Sequence, residues 1–157
     1  MGITIDTGKI EAALRSAING AMKSEVPDII KETESKHAQS DVYGAYAPRY
    51  YGRRGSLSDE GNMETETGEM SVTVTNIASF NNAYDWNESG PRRFIPPPNS
   101  GNGLASLVEG GGHYNYPYDS FTGGRPFIAN TKAELQGNNR IRDAIASAIS
   151  AAGFSVS

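Results

Sequence analysis

The chain contains no cysteine among its 157 residues. It therefore has no disulfide framework, no thiolate metal ligand and no cysteine nucleophile, which fits a reducing compartment. Its stability has to come from packing or from assembly. With 37% hydrophobic residues, the chain can bury the core of one domain rather than two, so we expect residues 1–157 to form a single domain.

Long apolar runs are also missing. No apolar stretch approaches the roughly 20 residues needed to span a bilayer. The N-terminus, MGITIDTGKIEAAL, has no basic region followed by an apolar one. We therefore expect a soluble, unexported chain without a membrane partner.

The common catalytic and nucleotide-binding motifs are incomplete or absent in this sequence. The pair Gly8-Lys9 is followed by Ile10, whereas a phosphate-binding loop needs serine or threonine there. GNGLAS, from Gly101, lacks the third glycine of a dinucleotide fingerprint and follows a proline-rich stretch instead of a strand. No G-x-S-x-G nucleophile elbow is present. We expect no enzymatic activity and no cofactor.

Metal chemistry has little support either. His37 and His113 lie far apart, and a zinc site needs three or four ligands, so we interpret both as solvated histidines and expect no metal. A run of acids follows Ser58, and it consists of Asp59, Glu60, Glu64, Glu66 and Glu69. A hard-cation site and a hydrolase centred on Asp59 and Glu60 are alternatives, but a solvated hairpin face is favoured.

Residues 7–38 predict a long amphipathic helix. Apolar residues recur every three or four positions, at Ile10, Leu14, Ile18, Met22, Val26 and Ile29 or Ile30. Asp6 or Thr7 can cap its start. Pro27 lacks an amide hydrogen, so we expect the helix to kink or restart near Ser24, a candidate second cap.

A β region is predicted for residues 42–78. Met70, Val72, Val74 and Asn76 alternate with small polar residues, which is the period of a half-buried strand. Gly68 supplies a turn before this strand, so the pattern indicates an antiparallel hairpin.

Residues 79–124 predict an extended loop, rich in glycine, proline and asparagine. A short apolar turn, LASLVEG from Leu104, interrupts it. Its aromatic content exceeds that of a solvated linker. We expect its first part, residues 79–103, to form an arm that becomes ordered only in an assembled particle.

The chain closes with a predicted helix over residues 130–153. Thr131 and Glu134 match a capping box, a stripe of isoleucines follows, and Gly153 is a natural stop. Because the strands cluster instead of alternating with helices, the fold class is α+β. We expect a long N-terminal helix, an antiparallel sheet, the irregular loop with its short helix, and the C-terminal helix packed on the sheet.

Tyrosine and arginine concentrate in residues 43–54, which we call the Tyr/Arg segment. Such residues can stack on bases and pair with phosphates, so a nucleic-acid-binding module is one interpretation. The chain has 14 basic and 18 acidic residues, a balance that disfavours binding to nucleic acid. Because tyrosine and arginine are also enriched at the centres of protein interfaces, we favour a protein partner.

Several short motifs follow one another in a recognisable order: VYGAYAPRYYGRRGSLSDEGNM, VTVTN, LASLVEGG and GGRPFIANTKAEL, before a closing helix. This order resembles the minor virion proteins of long-tailed double-stranded DNA bacteriophages that complete the tail and join it to the head. The matching residues are Tyr46, Pro48, Tyr50 or Tyr51, Arg53, Gly55, Leu57, Asp59, Val74, Asn76, Leu104 to Gly110, and Arg125 to Phe127. The arm, with its RRFIPPP core, departs from the family pattern.

The resemblance implies a non-enzymatic ring subunit in the virion neck, in six or twelve copies around a DNA channel. Its partners would be other neck and tail proteins: the head connector or stopper, and the tail terminator or tail tube. It would enclose DNA without sequence-specific binding, and it would assemble in the cytoplasm of the bacterial host.

Under this resemblance we expect subunit contacts from the Tyr/Arg segment, the arm and the Arg-Pro-Phe motif. The residues concerned are Tyr46, Tyr50, Tyr51, Arg53, Arg54, Trp86, Arg92, Arg93, Phe94 and Arg125. Purely internal packing of the tyrosines is the alternative. The Arg-Pro-Phe motif itself we interpret mainly as structural, with Phe127 inserted into the core and Arg125 held extended by the proline.

Overall fold

The structure is a computed structural model that describes residues 6–45, 55–78, 103–110 and 123–155, with the backbone of residues 51–53 and 84–86. Its helices are α1 (Thr7–Lys23), α2 (Glu25–His37), α3 (Gly103–Gly110), α4 (Phe127–Gly137) and α5 (Arg140–Ala151). Its strands are β1 (Tyr51–Arg53), β2 (Met63–Gly68), β3 (Ser71–Asn76) and β4 (Tyr84–Trp86). This largely helical α+β arrangement confirms the predicted fold class.

The predicted N-terminal helix is divided at Ser24 into α1 and α2. Asp6 caps α1, because its Oδ1 accepts from the amide of Lys9 at 3.2 Å. The restart near Ser24 is confirmed, but the expected second cap is wrong: the Ser24 hydroxyl donates back to the Gly20 carbonyl at 3.0 Å. Pro27 lies in the first turn of α2, where its missing amide hydrogen removes no helical bond.

Helical structure continues beyond α2, through a π-helical turn at Ala38–Tyr43. The predicted β region began at Val42, so its first two residues were assigned wrongly. A π-helix closes its hydrogen bonds over five residues instead of four, which no apolar spacing reveals.

The predicted hairpin is confirmed as β2 and β3, which pair antiparallel from Met63 opposite Asn76 to Gly68 opposite Ser71. Val72 and Val74 are half-buried on one face, as expected. Met70 instead lies in the turn, with φ of 51° and an exposed side chain. A second antiparallel pair joins β1 to β4, so the predicted irregular loop contains a strand.

Two helices replace the predicted C-terminal helix. Because α4 begins at Phe127, Thr131 lies in its second turn, where the buried hydroxyl donates to the Phe127 carbonyl at 2.7 Å. The prediction that Thr131 and Glu134 form a capping box was therefore wrong. The stop at Gly153 is confirmed: its φ is 91°, and the amides of Gly153 and Phe154 bond to Ser150 and Ile149.

Two clusters of buried residues organise the fold. The first, which we call the hub, consists of Ala38, Val42, Leu57, Ala78, Leu104, Ala105, Val108 and Phe127. The second lies between α1, α2 and α5, around Ala21, Val26, Ile29 and Ala144. We expected the C-terminal helix to pack on the sheet. In the structure α4 packs on α2 and α5 on α1 and α2, and the sheet reaches that cluster through Val72.

None of the helices in the described ranges is both long enough and apolar enough to pass through a bilayer.

Candidate subunit-interface region

Three of the motifs that carry the resemblance meet at the hub. Leu57 comes from the matching residues Gly55, Leu57 and Asp59, Leu104 and Val108 from the short apolar turn, and Phe127 from the Arg-Pro-Phe motif. Leu57, Leu104 and Phe127 are at most 2% exposed. The expectation that Phe127 inserts into the core is confirmed. Segments that are far apart in sequence therefore form one packed unit.

Asn76, the last residue of the VTVTN motif, links three parts of this region. Its Nδ2 donates to the Leu57 carbonyl and to Oε1 of Glu34, both at 2.9 Å. Its Oδ1 accepts from the amide of Ala78 at 3.1 Å. Glu34 is only 5% exposed. Burial raises the pKa of Glu34, the hydrogen bond from Asn76 opposes that shift, and the charge of Glu109 adds to it.

Backbone hydrogen bonds attach α3 to the hub at both of its ends. The Leu104 amide donates to the Ala78 carbonyl at 2.9 Å, and the Arg125 amide donates to the Val108 carbonyl at 2.9 Å. Ala78 and Leu104, which flank the arm, therefore lie next to each other, and so do Val108 and Arg125.

Glu109 forms a cap on a helix other than its own. Its two carboxylate oxygens accept from the amides of Ile128 and Ala129, in the first turn of α4, at 2.8 and 2.9 Å. A carboxylate at this position satisfies unpaired amides and complements the helix dipole. Neither Glu109 nor its role was predicted, since the cap lies far from its helix in sequence.

Arg125 binds the end of the N-terminal helical region. Its Nη1 donates to the Val42 carbonyl at 2.7 Å, and its side chain is half-buried. Beside it, the Tyr43 hydroxyl accepts from the Leu57 amide at 2.9 Å. These contacts support the structural interpretation of the Arg-Pro-Phe motif. A subunit contact through Arg125 remains a prediction.

His37 is not a solvated histidine, so that expectation was wrong. Its side chain is 16% exposed, and its Nδ1 and Nε2 each lie 3.0 Å from a carboxylate oxygen, of Asp41 and of Glu134. Asp41 lies four residues after His37, on the same helical face, and that spacing is a signal in the sequence. His113 lies outside the described residues.

The contacts of His37 tie α2 and the π-helical turn to α4. Lys36 adds an ion pair to Glu134 at 2.9 Å, and Asn130 donates to Asp41 at 2.9 Å. The hydrogen bond from Asn130 lowers the pKa of Asp41, with Ser40 and His37 contributing, and the bond from Lys36 lowers that of Glu134, with His37 contributing. This cluster fastens two helices together.

The predicted interface residues are only partly described. Tyr46, Tyr50, Arg54, Arg92, Arg93 and Phe94 lie outside the described residues. The backbones of Tyr51, Arg53 and Trp86 belong to the β1–β4 pair, in which Tyr51 lies opposite Trp86. The structure therefore brings the Tyr/Arg segment and the arm together. Their contacts with other subunits remain predictions.

The acids after Ser58 are exposed, as expected of a solvated hairpin face. Asp59 also caps the short 3-10 turn Glu60–Asn62, accepting from the Gly61 amide at 2.9 Å. Among the residues that the structure describes, no three histidine, aspartate or glutamate side chains are grouped to hold a metal ion.

Comparisons with known proteins indicate a phage-derived protein. The YomN family model matches residues 6–151. The SPbeta prophage-derived uncharacterized protein YomN of Bacillus subtilis (strain 168) is 30% identical over 130 residues, which are 80% of this chain and 76% of that protein. The chain therefore belongs to the YomN family. No solved structure matches it significantly. The phage origin that the resemblance implied is confirmed.

Proposed function

We propose that the chain is a structural, non-enzymatic subunit of the phage head-to-tail connection, a tail-completion or neck protein. It forms a ring of six or twelve copies that joins the tail tube to the head connector around the DNA channel. The observation that supports the proposal is the packing of three of the matching motifs, through Leu57, Leu104 and Phe127, in the hub of a chain of phage origin.

The position of the hub gives this proposal a physical basis. Val42 and Tyr43 lead from it into the Tyr/Arg segment, and Ala78 leads into the arm. Both candidate contact segments therefore start from one packed cluster. In a ring, one patch repeats against another and modest contacts add up over many copies. The net charge of −4 also suits a channel through which DNA slides without being retained.

Deletion of the gene from the phage that encodes this chain tests the proposal. Electron microscopy should show DNA-filled heads and complete tails that are not joined, and the chain supplied from a plasmid should restore infectivity. A plasmid carrying Glu64→Gln, a change on the exposed hairpin face, is the matched control and should restore it equally. Infectious particles that form without the protein would overturn the neck role.

Binding to DNA distinguishes the alternative function, a nucleic-acid module that uses the Tyr/Arg segment. The neck proposal expects no retention of the purified chain on a DNA column at low salt. Retention that falls steeply with rising salt would favour the alternative, because counterion release dominates such binding.

A further inference from the structure

His37 lies between two carboxylates, where α2 and the π-helical turn meet α4. Its Nδ1 is 3.0 Å from Oδ2 of Asp41, and its Nε2 is 3.0 Å from Oε2 of Glu134. Its side chain is 16% exposed, so the ring is largely shielded from water. Both contacts have the length of a hydrogen bond, and an ionised carboxylate can only accept. Each ring nitrogen therefore has to carry a hydrogen for both contacts to be hydrogen bonds.

A neutral imidazole does not meet this requirement. It carries one N–H, so its second nitrogen presents a lone pair, and a lone pair that faces a carboxylate oxygen repels it. Only the imidazolium form donates to Asp41 and Glu134 together. Asp41 also accepts from Asn130 of α4, so both carboxylates take part in the attachment of α4. Whichever nitrogen of a neutral ring keeps its hydrogen, one hydrogen bond at this junction is lost.

Neither carboxyl group supplies the second hydrogen at neutral pH. The hydrogen bond from Asn130 is the largest cause of the lowered pKa of Asp41, and the bond from Lys36 is the largest cause of the lowered pKa of Glu134. Both groups are therefore ionised. Among the described residues, the charged groups placed against His37 are these two carboxylates and the Lys36 ammonium, which shares Oε2 of Glu134 and is 65% exposed. Two negative charges thus face the ring, against one positive charge that is largely solvated.

We propose that a proton-dependent bridge joins α2 to α4: His37 binds Asp41 and Glu134 together when its ring carries two hydrogens, and only one of them after it loses a hydrogen. The bridge is complete below the ordinary histidine pKa of about 6.5 and is lost as the pH rises through the titration of His37. On the acid side it persists until the pH falls through the lowered pKa values of Asp41 and Glu134. The attachment of α4 to α2 is therefore tightest in mildly acidic solution.

Urea unfolding of the free chain at about pH 5.5 and about pH 8, on either side of the ordinary histidine pKa, tests the bridge. The folded-to-unfolded ratio of the wild-type chain should fall with rising pH by about tenfold more than that of His37→Gln, the effect of one hydrogen bond to a charged group. The test compares variants because the buried Glu34 adds its own loss of stability as the pH rises. Glu134→Gln should abolish the dependence on His37, since its side-chain amide can donate to one nitrogen of a neutral ring while the other nitrogen donates to Asp41.

Glu32→Gln is the matched control, because Glu32 of α2 forms an ion pair with Arg140 of α5 that involves no histidine. It should keep the wild-type pH dependence. Equal pH dependence in the wild-type chain and in His37→Gln would overturn the bridge, and so would full pH dependence in Glu134→Gln. If His37→Gln fails to fold, NMR of the wild-type chain decides: loss of a ring hydrogen from His37 should lower the exchange protection of the α4 amides, and unchanged protection would overturn the bridge. These measurements need no ring of subunits, so their failure is separate from a failure of the neck role.

Discussion

At the scale of single residues, Glu34 is the most unusual acid of the described chain. Its carboxyl group is buried next to the hub and receives a hydrogen bond from Asn76. Burial is the largest influence on its pKa, which is raised. A raised pKa means that the folded chain keeps this proton at pH values where the unfolded chain has lost it. Stability is therefore greatest below the unfolded pKa and falls as pH rises through the folded pKa.

Glu34→Gln should accordingly stabilise the chain at pH 7, by about 1 kcal/mol, the size typical of a single substitution. The glutamine oxygen can still accept from Asn76, but it carries no charge that burial disfavours. The free energy of unfolding, from urea titrations, measures the gain. The gain should shrink as pH falls and wild-type Glu34 becomes protonated.

Glu64→Gln, on the exposed face of β2, provides the control and should change stability by less than about 0.5 kcal/mol at either pH. A loss of stability in Glu34→Gln at pH 7 would mean that the ionised carboxylate helps to hold Asn76.

At the scale of helices and strands, the start of α4 depends on a group outside that helix. Thr131 and Glu134 have the spacing of a capping box, yet neither caps α4. Glu109 supplies the cap instead, and Glu134 binds Lys36 and His37 of α2. The local sequence pattern therefore predicted the helix but misplaced its first residue. The group that accepts from the first amides of α4 is the Glu109 carboxylate, which belongs to α3.

Glu109→Ala should destabilise the chain by about 1 to 2 kcal/mol, the usual effect of removing a helix cap. Two amides of α4 lose their acceptor, so hydrogen exchange at Ile128 and Ala129 should accelerate more than at the end of α5. Denaturant unfolding and amide exchange measure the two effects. Glu66→Ala, on the exposed strand β2, is the control for loss of an acidic side chain. Unchanged exchange at both amides would show that the cap contributes nothing in solution.

The elements that the sequence predicted well are those set by local periodicity and local caps. The Asp6 cap at the start of α1, the β2–β3 hairpin and the stop at Gly153 depend on residues within a few positions of each other. The strand Tyr84–Trp86 and the π-helical turn depend on distant partners, β1 in one case and the hub in the other. The candidate site divides in the same way. Phe127 was predicted from its motif, but the bond from Arg125 to Val42 was not.

At the scale of the whole molecule, the two residues that flank the arm are hydrogen-bonded to each other in the hub. The hydrogen bond from Leu104 to Ala78 joins the two positions between which residues 79–103 run. The hub packs Ala78, Leu104 and Ala105 together there. When the two ends of an insertion lie next to each other, the insertion can be shortened with little strain on the rest of the fold. The contribution of the arm can therefore be separated from that of the core.

Replacing residues 80–102 by three glycines should leave the hub folded and abolish head-to-tail joining under the proposed function. The shorter connection gains roughly 1 to 2 kcal/mol of loop-closure entropy, which offsets the lost β1–β4 pair, so the unfolding midpoint should stay close to that of the wild-type chain. Urea unfolding measures stability, and complementation of the deleted phage measures joining. The plasmid carrying Glu64→Gln is again the control. A shortened chain that no longer folds would show that the arm belongs to the core, and one that still joins heads to tails would show that the arm makes no essential contact.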